Sequence, residues 1–148
     1  LNSLGQEKVD VNFVLEIDDK VVINSIYKPK MVLYEKGQIK KSFSIEYVPG
    51  SLLIKKDNLD EILSNNYSSL VLSFNYQENF DNNDKKYDYS IEIKKGWLNH
   101  RFFVLKIYNT DKRKYRKLFE PLEGKKYTYE YYYPGGQVLR VTKKEKKM

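Results

Sequence analysis

From Val9 onward apolar and polar residues alternate: Val9, Val11, Phe13, Leu15 and Ile17 point one way, while Asp10, Asn12 and Glu16 point the other. A period of two places successive side chains on opposite faces, so this stretch predicts a half-buried strand. Asp18-Asp19-Lys20 reads as a turn, residues 21–27 as the next strand, and Lys28-Pro29 as its end. Residues 31–35 and 39–48 predict a hairpin about Lys36-Gly37-Gln38 with Phe43, Ile45 and Tyr47 inward. Pro49-Gly50 breaks that run ahead of a short strand over 51–54. One helix is expected where Asn58 and Glu61 have the spacing of a capping box and Leu59, Ile62 and Leu63 form an apolar stripe before Asn65-Asn66.

Strands resume over 69–76, where Leu70, Leu72, Phe74 and Tyr76 alternate, and over 87–94, with Tyr87, Tyr89, Ile91 and Ile93; residues 77–86 between them read as a polar loop. Residues 101–109 are apolar on both faces, which suits a central strand covered on two sides. Residues 114–120 are expected to pair back onto it through Thr110-Asp111-Lys112-Arg113. Over 125–133, Tyr127, Tyr129, Tyr131 and Tyr133 share one side and Tyr132 takes the other, after which Pro134-Gly135-Gly136 turns the chain into a last strand over 137–143.

About ten short strands at hairpin spacing with one short helix predict an all-β protein, an antiparallel β-sandwich. The layout resembles immunoglobulin-like or transthyretin-like exported sandwiches, in architecture alone. The 148 residues suit one domain. Residues 7–142 are expected to form it, with 1–6 a signal-peptide remnant or disordered start and 143–148 a basic tail. No stretch has the length and apolarity of a transmembrane helix.

Composition adds two constraints. The chain has no cysteine, which excludes disulfides, thiolate metal sites and cysteine nucleophiles. The net charge of +7 is unevenly spread: residues 1–93 hold 11 Lys, no Arg and 15 acids, giving −4, whereas residues 94–148 hold 16 bases and 5 acids, giving +11. Such asymmetry suits an anionic partner for the C-terminal part. Since 23 of the 27 bases are Lys, a general bias towards Lys, Asn, Tyr and Ile is the plainer account, specific phosphate recognition relying more on Arg. At the start, Ser3-Leu4-Gly5 is the small-x-small pattern that signal peptidase requires, which would make Gln6 the mature N-terminus and place the protein in the periplasm or outside the cell.

Candidate chemistry is sparse. An ordinary Ser-His-Asp arrangement would have to use His100, the single histidine, which sits where a turn enters a strand. The carboxylate pair Asp18-Asp19 falls in a turn and Asp60-Glu61 in the first turn of a helix, places that suit acids without catalysis. Asp81-Asn82-Asn83-Asp84 with Asp88 offers oxygen ligands, but Lys85 and Lys86 stand where a calcium loop needs ligands. No catalytic residue, metal site or cofactor is therefore assigned. The tyrosines of 127–133 fit either core packing or a stacking platform. Lys112, Arg113, Lys114, Arg116 and Lys117, with Lys125, Lys126, Arg140 and the lysine tail, form a basic constellation.

The expectation is an exported, noncatalytic β-sandwich acting through its surface as a binding or assembly module of the bacterial cell envelope, with a protein or other envelope component as partner. The alternative is a protein that binds nucleic acid or another polyanion; a hydrolase ranks third. Arg113, Tyr115, Arg116, Lys117, Tyr127, Tyr129, Tyr131, Tyr132 and Arg140 are the expected contact residues, on a 101–118 hairpin beside the 127–133 strand, because Arg, Tyr and Trp are enriched in interface hot spots.

Overall fold

Val11, Phe13, Leu15 and Ile17 form the buried face of β1 (Lys8–Ile17), as the alternation predicts. The two-residue β2 (Lys20–Val21) folds back on β1 through Asp18 and Asp19, whose φ values of 53° and 67° give two consecutive left-handed residues. Type I′ hairpin turns use that combination, and Asp tolerates it better than most side chains. The chain continues through β3 (Ile26–Glu35), β4 (Gln38–Ser44), β5 (Glu46–Val48), β6 (Ser51–Lys55), α1 (Lys56–Ser64), β7 (Ser69–Phe80), β8 (Asn83–Ile93), α2 (Lys95–Asn99), β9 (Phe102–Asn109), α3 (Arg113–Arg116), β10 (Tyr127–Tyr133) and β11 (Gly136–Val138). These elements come from a computed structural model, which describes residues 7–80, 83–99 and 102–139. Arg140 and the 143–148 tail, like the 1–6 start, His100, Arg101, Asp81 and Asn82, lie outside the described residues.

The strands form two sheets. The first has the order β11-β10-β9-β1-β6-β5 with β2 attached to β1, and the second the order β4-β3-β7-β8. The class is β-rich and sandwich-like, with one departure from the antiparallel expectation: β1 and β9 pair in parallel, Asn12 with Phe102 through Ile17 with Ile107. As expected, β9 is central, flanked by β1 and β10, but it is not covered on two sides: Phe103, Leu105 and Ile107 are buried while Phe102 is exposed and Val104 and Lys106 are half-buried.

Four local expectations are corrected. Residues 39–48 do not form one strand but divide at the buried Ile45, where the chain passes from the second sheet to the first and the Ile45 N–H bonds the Pro29 carbonyl at 3.1 Å. Lys28-Pro29 does not end a strand, because β3 absorbs it as an irregularity in its pairing with β7. The helix lacks the Asn58–Glu61 capping box: it begins at Lys56, whose N–H is taken by the Glu7 carbonyl at 2.7 Å, and Glu61 pairs instead with Lys41 at 2.7 Å. Residues 77–86 are not a loop, since β7 and β8 stay paired as far as Phe80 and Asn83. Glu78 there continues the inward row of Leu70, Leu72, Phe74 and Tyr76, made tolerable by a lysine that reaches it from elsewhere.

Between the sheets the core is largely aromatic on the β10 side. Tyr131 stacks on Trp97 of α2 and on Phe103 (4.9 Å between centroids), and Phe103 in turn meets Phe13 at 4.5 Å. Tyr127 closes the free edge of β8: its hydroxyl accepts the Ser90 N–H at 2.9 Å and donates to the Ser90 carbonyl at 3.2 Å. Tyr129, two residues on along the same face, lies beside the Glu92 backbone, and burial raises its pKa. Edge strands with unpaired backbone groups recruit other strands, so Tyr127 both fills the core and seals an edge.

Truncating Tyr131 to Ala is therefore expected to cost about 3–5 kcal/mol, the range for large buried aromatics. Tyr127→Phe keeps the ring and loses only the edge seal, with an expected cost of about 1 kcal/mol. Urea unfolding of both variants checks the ordering, and a Tyr131→Ala cost below about 1 kcal/mol contradicts it.

Candidate functional site

Between β9 and β10, residues 110–126 leave the sheet and return as a closed lobe. Its base is fastened by the Thr110 N–H on the Lys126 carbonyl at 2.9 Å and the Leu122 N–H on the Tyr127 carbonyl at 2.9 Å. The expected strand over 114–120, and with it the 101–118 hairpin, gives way to the helical turn α3. The reason is spacing: Tyr115 and Phe119, four residues apart, share a helical face. Both rings pack on Tyr108 of β9, with centroids 5.5 and 4.7 Å away, in a small cluster separate from the main core. Tyr115 also donates to Asp19 of the β1–β2 turn at 2.8 Å. Burial, and then that bond to a carboxylate, raises the Tyr115 pKa above the ordinary phenol value.

A charge cluster holds the lobe at its other root. The Lys112 ammonium lies 2.7 Å from Asp18 and 3.1 Å from Glu78, whose side chains retain only 9% and 11% exposure. Asp18 accepts the Asn109 N–H at 2.8 Å and its side-chain amide at 3.0 Å, and the Asn109 amide oxygen accepts the Tyr89 hydroxyl at 2.8 Å. Tyr87 donates to Asp111 at 3.3 Å. Burial alone would lower the Lys112 pKa, but the hydrogen bonds and charges of Asp18 and Glu78 outweigh it and raise the value. A cleft of about 250 Å³ opens above this cluster, lined also by Ile17, Lys20, Tyr76 and Lys114. Its most buried charges neutralise one another, an arrangement that fixes three segments together and uses up their hydrogen-bonding capacity.

The exposed cations of the lobe are different, although Arg116 donates to the Asp111 carbonyl at 3.1 Å and the Lys114 ammonium lies 5.3 Å from the Tyr115 ring. Arg113, Lys114, Arg116, Lys117, Lys125 and Lys126 are all exposed, and none of the six forms an ion pair with a described residue. Over residues 110–126 seven bases face three acids, a net charge of +4.

The expected contact residues thus separate into two groups. Arg113, Arg116 and Lys117 lie on the lobe surface, while Tyr115 is buried beneath them as the anchor. Tyr127 and Tyr131 are buried between the sheets, Tyr129 is half-buried on the same face, and Tyr132 lies on the outer face with Lys106 about 6.0 Å from its ring. Trp97 is likewise buried, so the tyrosine strand offers no continuous aromatic platform and the basic and aromatic groups do not meet on one surface. The anchors Asp18, Glu78, Asn109 and Lys112 were not singled out by the sequence as a site; the one available signal is an Asp-Asp doublet where hairpin turns favour Asn-Gly.

Comparison with protein-family models, with curated proteins and with solved structures found no match to this chain.

Lys112→Met leaves two carboxylates facing each other with little water, and the expected loss is about 2–4 kcal/mol, moderated by the partial exposure of the lysine. Adding Glu78→Gln is expected to recover part of it. The pH dependence has a definite sign: the pKa values of Lys112, Tyr87, Tyr89 and Tyr115 are all raised on folding, so the stability they contribute is full below about pH 10 and falls as pH rises through the folded values. Unfolding followed by circular dichroism together with tyrosinate absorbance should show ionisation and loss of structure in one alkaline transition. Tyrosines titrating near pH 10 in a chain that stays folded would contradict it.

Proposed function

We propose that this chain is a noncatalytic β-sandwich binding module of a bacterial cell envelope, exported to the periplasm or beyond, which engages an anionic envelope component through the 110–126 lobe. One observation carries the reading. The lobe has its own aromatic anchor in Tyr108, Tyr115 and Phe119 and an ionic root at Lys112, yet six exposed cations on it, Arg113, Lys114, Arg116, Lys117, Lys125 and Lys126, meet no carboxylate among the described residues. Loops fixed to a rigid scaffold commonly present binding residues. Unneutralised cations on such a loop attract anions and accelerate encounter. Export is supported by Ser3-Leu4-Gly5. The immunoglobulin-like or transthyretin-like architecture belongs to this proposal as its frame, supported by the two sheets and the short strands.

The nucleic-acid alternative rests on the same lobe, so one titration separates the two. Labelled polyphosphate and labelled single- and double-stranded DNA and RNA are titrated over a series of salt concentrations. The expected result is polyphosphate binding that weakens linearly in log salt, with no preference for nucleic acid. The triple variant Arg113→Glu, Lys117→Glu, Lys125→Glu should lose more than about tenfold in affinity at low salt with an unchanged melting temperature, since these three side chains make no hydrogen bond, ion pair or ring contact with a described residue. Tighter binding to DNA or RNA at matched charge replaces the envelope reading with the alternative, and absence of polyanion binding at low salt removes both.

A further inference from the structure

A second cleft, on the outer face of the second sheet, differs in kind from the one at Lys112. Its volume is about 430 Å³, and Tyr27, Lys28, Asn75, Gln77, Lys86 and Asp88 line it. Small-ligand sites commonly span about 300–1,000 Å³. Strand register builds it. Tyr27 stands opposite Asn75, and Asn75 opposite Asp88, in one row across β3, β7 and β8; Gln77 opposite Lys86 forms the next row.

The backbone around Tyr27 is unusual. Ser25 and Lys28 have φ values of 70° and 52°, a left-handed conformation that costs a residue with a β-carbon, and Lys28 adopts it directly before Pro29. Between Tyr27 and Lys30 the pairing shifts, with three steps along β3 against two along β7. One extra residue is thus inserted beside the tyrosine. Bulges of this kind re-aim side chains, and strained residues gather at functional sites. Here the outcome is a tyrosine 49% exposed, resting at the rim of a cleft.

The groups around it are available. The side chains of Tyr27, Lys28, Gln77 and Lys86 make no hydrogen bond, ion pair or ring contact with any described residue, and only Asn75 and Asp88 bond each other. We propose that this cleft binds a glycan, with one sugar ring stacked on Tyr27 and its hydroxyls held by Asn75, Gln77, Asp88 and the two lysines. The chemistry selects that class. An aromatic face, negative at its centre, takes the C–H face of a pyranose. Amides that both donate and accept, a carboxylate that accepts and ammonium groups that donate match the mixed demands of neighbouring hydroxyls. Asp88 at the end of the row disfavours a phosphate backbone, which separates this surface from the lobe with its net charge of +4. The proposal goes beyond the lobe reading and survives its failure.

The test is amide-detected NMR titration of the intact protein with tetrasaccharides of N-acetylglucosamine, β-1,4-glucose and α-1,4-glucose, and with oligothymidylate, each up to millimolar concentration. At least one sugar should shift the signals of Tyr27, Asn75, Gln77 and Asp88 together while those of the lobe stay fixed. Tyr27→Ala should weaken that binding about tenfold, and Tyr27→Phe should retain it, since the ring face and not the hydroxyl makes the stack. A dispersed spectrum of Tyr27→Ala shows that its loss is not unfolding. Three outcomes overturn the proposal: no sugar shifts these residues, Tyr27→Ala binds as the parent does, or oligothymidylate is the ligand that shifts them.

Discussion

The parallel pairing of β1 with β9 is the constraint on which the rest depends. It joins segments distant in sequence, so that Asp18 and Asn109, 91 residues apart, are hydrogen-bonded neighbours. Where the pairing ends at Ile17 and Ile107, the Asp18 N–H still bonds the Ile107 carbonyl at 2.8 Å, and the aspartate turn sits directly beside the start of the lobe. From there its carboxylate holds Asn109 and Lys112, and Asp19 holds Tyr115. The lobe's position thus follows from the strand register. A slip of one residue would reverse the faces of β1 and separate those anchors. The acidic N-terminal part and the basic C-terminal part of the chain meet in this place, which gives the charge asymmetry a structural use besides any partner.

The fold was legible wherever side-chain period alone decides it. The inward faces of β1, β7 and β8 and the turn at Asp18-Asp19 follow from alternation and turn chemistry, and the central position of β9 from its apolar content. Partner choice did not, because alternation specifies which face is buried and says nothing of which strand lies alongside or in which direction. Elements were misread where a polar residue is buried through a distant contact. Glu78 suggested a loop because Lys112, its counter-charge, lies 34 residues away in the chain. Tyr115 and Phe119 suggested a strand because a four-residue helical turn leaves only two positions to display its period.

The site was half legible. Charge counts identified a run of cations, and Arg113, Arg116 and Lys117 are indeed exposed, since exposure of Arg and Lys can be assumed without a structure. Depth was harder to read for tyrosine, whose ring and hydroxyl allow burial, edge sealing or exposure. Tyr127 and Tyr131 are core, Tyr115 is an anchor, and Tyr27, which alternation placed in an ordinary strand, is the exposed one because a bulge turns it out. No period reveals a bulge; the nearest sequence signal is a lysine followed by proline inside an otherwise regular run.

If the β1–β9 pairing carries the fold, its amides are the last to exchange. Native-state hydrogen exchange under increasing denaturant measures this residue by residue. The expected result is that residues 12–17 and 102–107 exchange only by global unfolding, with one common free energy, and that exchange in the 110–126 lobe never outlasts theirs. The contrary result is protection of β7 and β8 that persists after β1 and β9 have opened, which would make the β7–β8 hairpin the foundation and the parallel pair an accessory.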